Sequence, residues 1–270
     1  QENVNLSGKK VLLVEDNEIN QELVVELLKD SQLSLDIANN GLEALEKVKL
    51  QSYDLVFMDI QMPFLDGFEV TRRIRRDIGK KELPIIAMTA NASNEDRENC
   101  IQAGMDDFIS KPIAPAPLFK VLTTWLNTDV DAAHGEAPPT PAPIARAKEE
   151  IPFDRIKALQ MMGGKEALLE KMLAMFKDRF SNSVAELQGL LDAADYDTAQ
   201  RLAHTLKGVS ANIAADIVKV CSERVETKLK NYSRSDLSPP DLREDVKLLA
   251  EAMNDLLDYL ERVGAAARAS

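Results

Sequence analysis

The chain is poor in the residues that stabilise small secreted proteins. Its 270 residues include only two cysteines, Cys100 and Cys221, and one tryptophan. Both cysteines lie in segments with a helical pattern, which favours small buried thiols over a disulfide. We therefore expect a protein of a reducing, cytoplasmic compartment.

Long apolar runs and excess positive charge are also missing. No apolar run reaches the roughly 18 residues that cross a bilayer, so no membrane segment is expected in this chain. The N-terminus, QENVNLSGKK, lacks the regions of a signal peptide, and its first residue is Gln rather than Met, so we expect a piece of a longer protein. The net charge of -12 and the pI near 4.8 argue against a nucleic-acid partner and favour cations or basic partners.

Composition and pattern divide the chain into two halves. Residues 129–150, rich in Ala and Pro, have no apolar period and predict a linker between domains at 1–128 and 151–270. In the first half, five short apolar runs alternate with amphipathic stretches, which predicts a (βα)5 doubly wound parallel sheet, an α/β fold. The second half has apolar residues at three- and four-residue spacing and predicts an antiparallel helical bundle.

Charged residues follow the predicted strands of the first half. Glu15 and Asp16 follow the first strand, Asp59 ends the third, Thr89 ends the fourth and Lys111 follows the fifth. The carboxyl ends of parallel strands form the sites of such sheets, so these side chains should meet. Three carboxylates exceed what one lysine can neutralise, which predicts a hard divalent cation, Mg²⁺.

A carboxylate beside Mg²⁺, with a lysine and a hydroxyl close by, is suited to attack a phosphoryl group. Asp59 would be this nucleophile and would become an acyl phosphate. Taken singly, each residue has a plain explanation, since an Asp after a strand is usually a helix cap and Lys-Pro is usually a turn. Their order and placement together carry the prediction.

The segments MDIQMPFLDG, MTA and SKPI, with the acidic pair, resemble the receiver domain of two-component response regulators over about the first 127 residues. The resemblance implies a flavodoxin-like fold. It also implies that Asp16, Asp59 and the backbone carbonyl of Gln61 bind Mg²⁺, with Glu15 acting through water.

The same resemblance assigns roles to three further residues. It implies that Thr89 senses the phosphoryl group, that Lys111 contacts a phosphoryl oxygen and that Phe108 is the rotating aromatic of a switch. An aromatic in DDFIS is equally compatible with ordinary core packing.

Of the two histidines, His134 lies in the linker and is interpreted as a solvated residue without a role. His204 lies in YDTAQRLAHTLKGVSANI, where a helical projection places the apolar stripe on the opposite side. That stripe consists of Leu202, Leu206, Val209 and Ile213. His204 is therefore predicted to be exposed, with a pKa of about 6.5 and a nucleophilic neutral form.

The exposed neighbours of His204 are predicted to be Gln200, Lys207, Gly208 and Ala211. A glycine within an exposed helix costs about 1 kcal/mol against alanine, and the economical reason for Gly208 is clearance for a partner that approaches the imidazole. Lys207, one turn on, could neutralise a phosphoryl group on the ring.

The segment AHTLKG resembles the signature of the histidine phosphotransfer (Hpt) domain, a four-helix bundle, over about residues 154–262. The resemblance implies that His204 carries a phosphoryl group on Nε2. Where the family often has GNIGA, this chain has ANIAA at residues 211–215, which leaves the helix end near Ala214 open.

Together the two resemblances imply a phosphorelay module like the C-terminal part of a hybrid sensor histidine kinase, at the cytoplasmic end of a membrane-bound sensor. Its partners would be a histidine kinase as phosphodonor and the receiver of a downstream response regulator. Docking between its own two domains, within or between chains, stays open. The sequence shows no glycine-rich nucleotide lid, so whether the chain counts as an enzyme is also open.

Two other functions compete with the relay. In the first, the receiver is a phosphorylation-dependent docking switch and phosphate goes no further. In the second, the receiver is a phosphate sink that hydrolyses the Asp59 phosphate. A DNA-binding output is disfavoured, because the second half is acidic and carries no basic recognition helix.

Overall fold

A computed structural model describes residues 6–89, 94–126, 152–233 and 241–269. The predicted linker, with His134, lies outside the described residues. The linker and the domain boundaries at 128 and 151 therefore stay predictions.

The first half contains one five-stranded parallel sheet in the order β2-β1-β3-β4-β5. The order reverses between β1 and β3, and ligands bind at such a reversal in open α/β sheets. Strands β3 and β4 are buried along their whole length, as their continuous apolar sequences predict. The strands are β1 (Lys10–Val14), β2 (Ser34–Ala38), β3 (Leu55–Asp59), β4 (Ile85–Thr89) and β5 (Asp107–Ser110).

Helices cover both faces of this sheet. Asn17 starts α1 by accepting hydrogen bonds from the N–H groups of Ile19 and Asn20. The amphipathic segment GFEVTRRIRRDI, residues 67–78, predicts one helix, but the structure is α-helical only to residue 73, followed by a π-helical turn at Ile74–Ile78. The helices are α1 (Glu18–Leu28), α2 (Gly41–Leu50), α3 (Gly67–Arg73), α4 (Asn94–Ala103) and α5 (Pro115–Leu126).

The second half is a bundle of antiparallel type. The apolar spacing of residues 164–195 predicts one helical segment, but the structure has two helices there, separated at Ser181 and Asn182. Ser and Asn compete for backbone hydrogen bonds, and the Ser183 hydroxyl donates to the Phe180 carbonyl there. The helices are α6 (Arg155–Met161), α7 (Glu166–Phe180), α8 (Ser183–Asp192), α9 (Tyr196–Asn212), α10 (Asp216–Ser233) and α11 (Arg243–Ala269).

The two halves share one hydrophobic core. Apolar residues of α1, α5 and one face of the sheet belong to the same cluster as the bundle interior. A second cluster fills the opposite face of the sheet, beneath α2, α3 and α4. Helix α1 packs on both α7 and α9, so the bundle is docked on the α1 side of the sheet.

Candidate functional site

The predicted acidic site forms at the carboxyl edge of the sheet. Asp59 is 3% exposed at the end of β3, and Glu15 and Asp16 follow β1. Lys111 Nζ donates to Asp59 Oδ2 at 2.8 Å and to Glu15 Oε2 at 2.8 Å. Carboxylate oxygens of Glu15, Asp16 and Asp59 lie within 4.8 Å of one another.

This crowding raises the pKa of two of the carboxyl groups. Burial raises the pKa of Asp59, the charge of Glu15 raises it further, and Lys111 opposes both effects. Burial and Glu15 also raise the pKa of Asp16, to about 6. For Lys111 burial lowers the pKa, but its attraction to Asp59 and Glu15 outweighs burial and the net shift is upward.

The donor set fits a hard divalent cation. Three carboxyl groups face a single ammonium group, and oxygen ligands of this kind suit Mg²⁺. The main chain of the predicted ligand Gln61 lies beside Asp59, since its N–H donates to Asp59 Oδ1 at 3.3 Å.

Thr89 and Gly67 border the same site. Thr89 is buried at the end of β4, and its carbonyl accepts a hydrogen bond from the Lys111 N–H at 2.7 Å. A Cβ at Gly67 would lie 2.2 Å from the Asp59 carbonyl oxygen, so the backbone beside Asp59 leaves room only for glycine at this position. The glycine of the MDIQMPFLDG motif thus has a steric basis.

Phe108 lies in β5 and is half-buried. It packs against the cluster beneath α2, α3 and α4, and the Arg97 guanidinium lies 5.9 Å from the centre of its ring. A core role and a switch role are both compatible with this position.

The environment of His204 differs from the exposed one expected. Its side chain is 15% exposed, and its Nδ1 lies 2.9 Å from Oε1 of Glu226 on α10. Lys207, Gly208 and Ala211 are buried as well. The helical projection was wrong about this face because it considers one helix alone, whereas α10 packs along α9 and the first half of the chain contacts the end of α9 at Asn212.

The pKa values of this pair follow from burial and mutual contact. Burial lowers the pKa of the His204 imidazole, and the Glu226 carboxylate opposes that change. Burial alone would raise the pKa of Glu226, but its hydrogen bond with His204 and the charges of His204 and Lys207 lower it to about 2. Lys207 Nζ lies 2.5 Å from Glu226 Oε2. A neutral imidazole with Nδ1–H bonded to Glu226 keeps Nε2 as its free lone pair.

The space beside Gly208, one turn along α9 from His204, is open. A Cβ placed there would meet nothing within 4 Å outside the helix's own backbone. This open space lies where the sequence predicts clearance for a partner that approaches the imidazole, although Gly208 itself is buried.

The acidic site and His204 lie at the same interface. Asn212, two turns beyond His204 on α9, donates through Nδ2 to Asn20 Oδ1 at 2.7 Å and accepts from the Ile113 N–H at 3.3 Å. Ile113 is two residues from Lys111, whose charge adds a small downward contribution to the pKa of His204.

Ion pairs extend the same interface along α1 and α7. We call Glu18, Glu22 and Asp30 the acidic stripe, and Arg179, Lys171 and Lys165 the basic stripe. Arg179 pairs with Glu18 at 3.0 Å, Lys171 with Glu22, and Lys165 with Asp30 at 3.2 Å.

Three contact residues were missed from sequence: Glu226, Asn20 and Asn212. Glu226 lies 22 residues from His204, and a single sequence contains no signal that joins two helices in this way. Asn20 and Asn212 are polar residues buried between the halves, and their pairing depends on how the halves dock.

Comparison with known proteins identifies both halves. The model of the response regulator receiver domain matches residues 11–123, and the Hpt domain model matches residues 171–266. The sensor histidine kinase GacS of Pseudomonas protegens is 29% identical over 99% of this chain, which spans 28% of that protein's length. Histidine kinase 5 of Arabidopsis thaliana is 42% identical over 45% of this chain and 16% of its own length.

A solved structure is similar to the first half. The receiver domain of the sensor histidine kinase PA1611 from Pseudomonas aeruginosa, described with a magnesium ion coordinated in its active site cleft, is 40% identical. The match covers 45% of this chain and all of that domain, with a TM-score of 0.42. None of the described helices is long and apolar enough to cross a bilayer.

Proposed function

Because this chain is a response regulator receiver domain followed by an Hpt domain, we propose that it is a phosphorelay module in which Asp59 accepts a phosphoryl group and His204 accepts it next. The observation that carries the proposal is the shared interface, where Asn212 of the His204 helix contacts Asn20 and Ile113 beside the Asp59 site. The chain spans only part of the kinases it matches, so its donor and its downstream acceptor are parts of this proposal.

In the first step a carboxylate oxygen of Asp59 attacks the phosphorus of a kinase phosphohistidine. The P–O bond forms as the P–N bond breaks, and the kinase imidazole leaves with the electron pair. Lys111 already bonds to Asp59 and would neutralise an oxygen of the incoming group. The acyl phosphate carries more negative charge than the carboxylate it replaces, so this step depends on cations that neutralise the phosphoryl oxygens beside Glu15 and Asp16.

The residues that would hold Mg²⁺ are Asp16, Asp59 and the Gln61 carbonyl, with Glu15 through water. When bound, the ion neutralises phosphoryl oxygens. Support comes from the carboxyl cluster of this chain and from the magnesium described in the related PA1611 domain.

In the second step His204 Nε2 attacks the phosphorus of the acyl phosphate and releases the Asp59 carboxylate to Lys111. The ring keeps its Nδ1 proton, so it becomes positively charged when Nε2 is phosphorylated. Glu226 accepts the hydrogen bond from Nδ1 and stabilises that charge. Lys207, bound to the same carboxylate, lies one turn away and can contact the phosphoryl oxygens.

From His204 the group would pass to the aspartate of a downstream response regulator. We expect the module to act in the cytoplasm, with residues 129–150 as its linker.

Phosphate tracking tests the relay. A phosphorylated histidine kinase supplies labelled phosphate with Mg²⁺ to wild type, Asp59→Asn, His204→Gln and the control His134→Gln. Alkali-labile label reports acyl phosphate, and alkali-stable label reports phosphohistidine. We expect stable label on His204 only when Asp59 is present, and no change in the control.

Two outcomes would contradict the relay. If label stops at Asp59 in wild type, the receiver is a docking switch, and if it is lost rapidly as free phosphate, the receiver is a sink. A mixture of Asp59→Asn and His204→Gln chains distinguishes transfer within one chain from transfer between chains. Alkali-stable label in the mixture requires transfer between chains. If wild type is labelled and the mixture is not, transfer occurs within one chain.

Metal binding is tested without phosphate. Mg²⁺ that binds only the folded chain raises its unfolding free energy by about 1.4 kcal/mol per tenfold excess over Kd. We expect Mg²⁺ to raise the melting temperature of wild type and to leave that of Asp16→Asn almost unchanged. Equal shifts in the two proteins would exclude this site as the source.

A further inference from the structure

A continuous set of hydrogen bonds joins the bundle to the acidic site. Asn212 donates to Asn20 Oδ1 at 2.7 Å, and Asn20 Nδ2 donates to Glu15 Oε1 at 2.8 Å. The other oxygen of Glu15 accepts from Lys111, which also bonds to Asp59. Asn20, Asn212 and Glu15 are all buried.

One assignment of donors and acceptors is consistent with all the hydrogen bonds in this set. A carboxylate can only accept, so Glu15 requires that Asn20 present Nδ2 to it. The Oδ1 of Asn20 then faces the bundle, where only a donor fits. Asn212 supplies that donor, and its own Oδ1 accepts the Ile113 N–H.

We propose that Glu15 and Asn20 form a recognition device for the bundle of this same chain, in which the carboxylate orients the Asn20 amide to accept a hydrogen bond from Asn212. The inference deepens the proposed function, since it assumes that the docked arrangement is the one in which phosphate passes. The occupant is the chain's own bundle because Asn212 and the basic stripe both reach α1 from it.

Burial makes this contact selective. An amide or carboxylate left without a hydrogen-bond partner in a buried interface loses its hydration without compensation. A partner with the wrong donor or acceptor at this position is therefore strongly disfavoured. The ion pairs of the stripes are partly exposed and distinguish sign only. The amide pair adds a requirement for one particular donor at one particular place.

The device has a further consequence for Asp59. Glu15 accepts from both Asn20 and Lys111, so a change in the pairing of Lys111 with Asp59 reaches Asn212 through Glu15 and Asn20. Docking and the state of the acidic site are then linked, and the linkage acts equally in both directions.

The test measures how much of the full chain has its bundle docked on its receiver, in the absence of phosphate and Mg²⁺. A zero-length carbodiimide couples an amine to a carboxylate in contact, and the Lys171–Glu22 ion pair supplies both. Mass spectrometry measures that cross-link in an equal mixture of ¹⁵N-labelled and unlabelled chains, so products within and between chains are distinguished. The variants are Asn212→Asp, Glu15→Gln and the two combined.

Each single variant should lower the intrachain cross-link at least threefold. Asn212→Asp places an acceptor against Asn20 Oδ1, and Glu15→Gln allows the Asn20 amide to turn and present a donor to Asn212. The double variant restores complementary order with the wild-type charge, so its yield should recover to within twofold of wild type. Asn182→Asp, an exposed Asn of the bundle, is the matched control and should not change the yield.

Three results would overturn the proposal: wild-type yields in both single variants, a double variant no better than the worse single one, or a wild-type cross-link found only between chains. If Asn212→Asp does not fold, Asn212→Ala replaces it and should lose the cross-link whether or not Glu15 is changed. Phosphate tracking is independent of these yields, so failure here is distinguishable from failure of the relay.

Discussion

At the scale of single residues, each of the two proposed phosphoryl acceptors has a charged partner, basic for Asp59 and acidic for His204. Asp59 bonds to Lys111, and His204 bonds to Glu226. In the proposed relay, the Lys111 ammonium would offset the Asp59 carboxylate before phosphorylation, and the Glu226 carboxylate would offset the His204 imidazolium after it. The first pairing was foreseeable because the ends of parallel strands meet, whereas the second depends on the packing of two helices.

Glu226 gives the bundle a pH dependence that can be measured. Its pKa is about 2 in the folded chain, below the ordinary 4.5, so its ionised form stabilises the fold fully above pH 4.5 and loses that effect as pH falls toward 2. For Glu226→Gln we expect a loss of unfolding free energy of about 1–3 kcal/mol at pH 7. Denaturant titrations should show this loss shrinking below pH 4.5, and a constant loss down to pH 2.5 would contradict the assignment.

Gly208 is predicted to favour transfer at the expense of helix stability. Gly208→Ala should stabilise the fold by about 0.5–1 kcal/mol, since its Cβ meets no atoms outside the helix backbone. The added methyl group should slow phosphate transfer to His204 several-fold. Gly189→Ala in α8 is the control, because its Cβ also meets nothing within 4 Å, and it should stabilise the fold without slowing transfer. Equal transfer rates in both variants would remove the clearance explanation.

At the scale of elements, the sequence predicts where strands lie better than where helices end. Apolar runs identify β3 and β4, but nothing in the apolar period marks the break at Ser181 and Asn182. Helix α9 ends at Asn212 even though Ala214 replaces the usual glycine. Ala214 adopts a φ of 57°, a left-handed conformation, and the N–H of Ala215 donates to the Ser210 carbonyl across the helix end at 2.9 Å.

The end of α8 allows the cost of such a conformation to be measured. Ala194 has a φ of 56° and is exposed, so Ala194→Gly should raise the unfolding free energy by about 0.5–1 kcal/mol. Its neighbour Ala193 is also exposed but has a φ of -81°, and Ala193→Gly should lower it. Thermal unfolding of both variants would show whether each substitution raises or lowers the unfolding free energy. Stabilisation by both substitutions or by neither would contradict the explanation from backbone conformation.

At the scale of the whole molecule, docking of the two halves could not be predicted. The sequence shows two cores and a linker, whereas the structure shows a core shared through α1. The acidic and basic stripes are invisible as partners in sequence because they lie more than 130 residues apart. Their meeting is a tertiary property of this chain.

The stripes predict that docking responds to salt. Exposed ion pairs are weak singly and are screened by salt. We expect the radius of gyration, measured by small-angle X-ray scattering, to increase between about 0.05 and 0.5 M NaCl as the halves separate. Lys171→Glu should produce the expanded form at lower salt, and Glu22→Lys combined with it should reverse the effect. A radius independent of salt would show that the apolar contacts and the Asn212 hydrogen bonds, and not the ion pairs, hold the halves together.

Under the proposed relay, the partial burial of His204 would affect when a phosphoryl group on its ring can leave. A domain held on the same chain is present at an effective concentration of about a millimolar, so an equal competitor at about a micromolar would reach the histidine roughly once in a thousand encounters. A downstream acceptor therefore either binds the bundle far more tightly or waits for the internal receiver to move away. In that relay the interface would act as a timer, because the rate at which the halves separate would limit how soon a phosphoryl group on His204 is passed on.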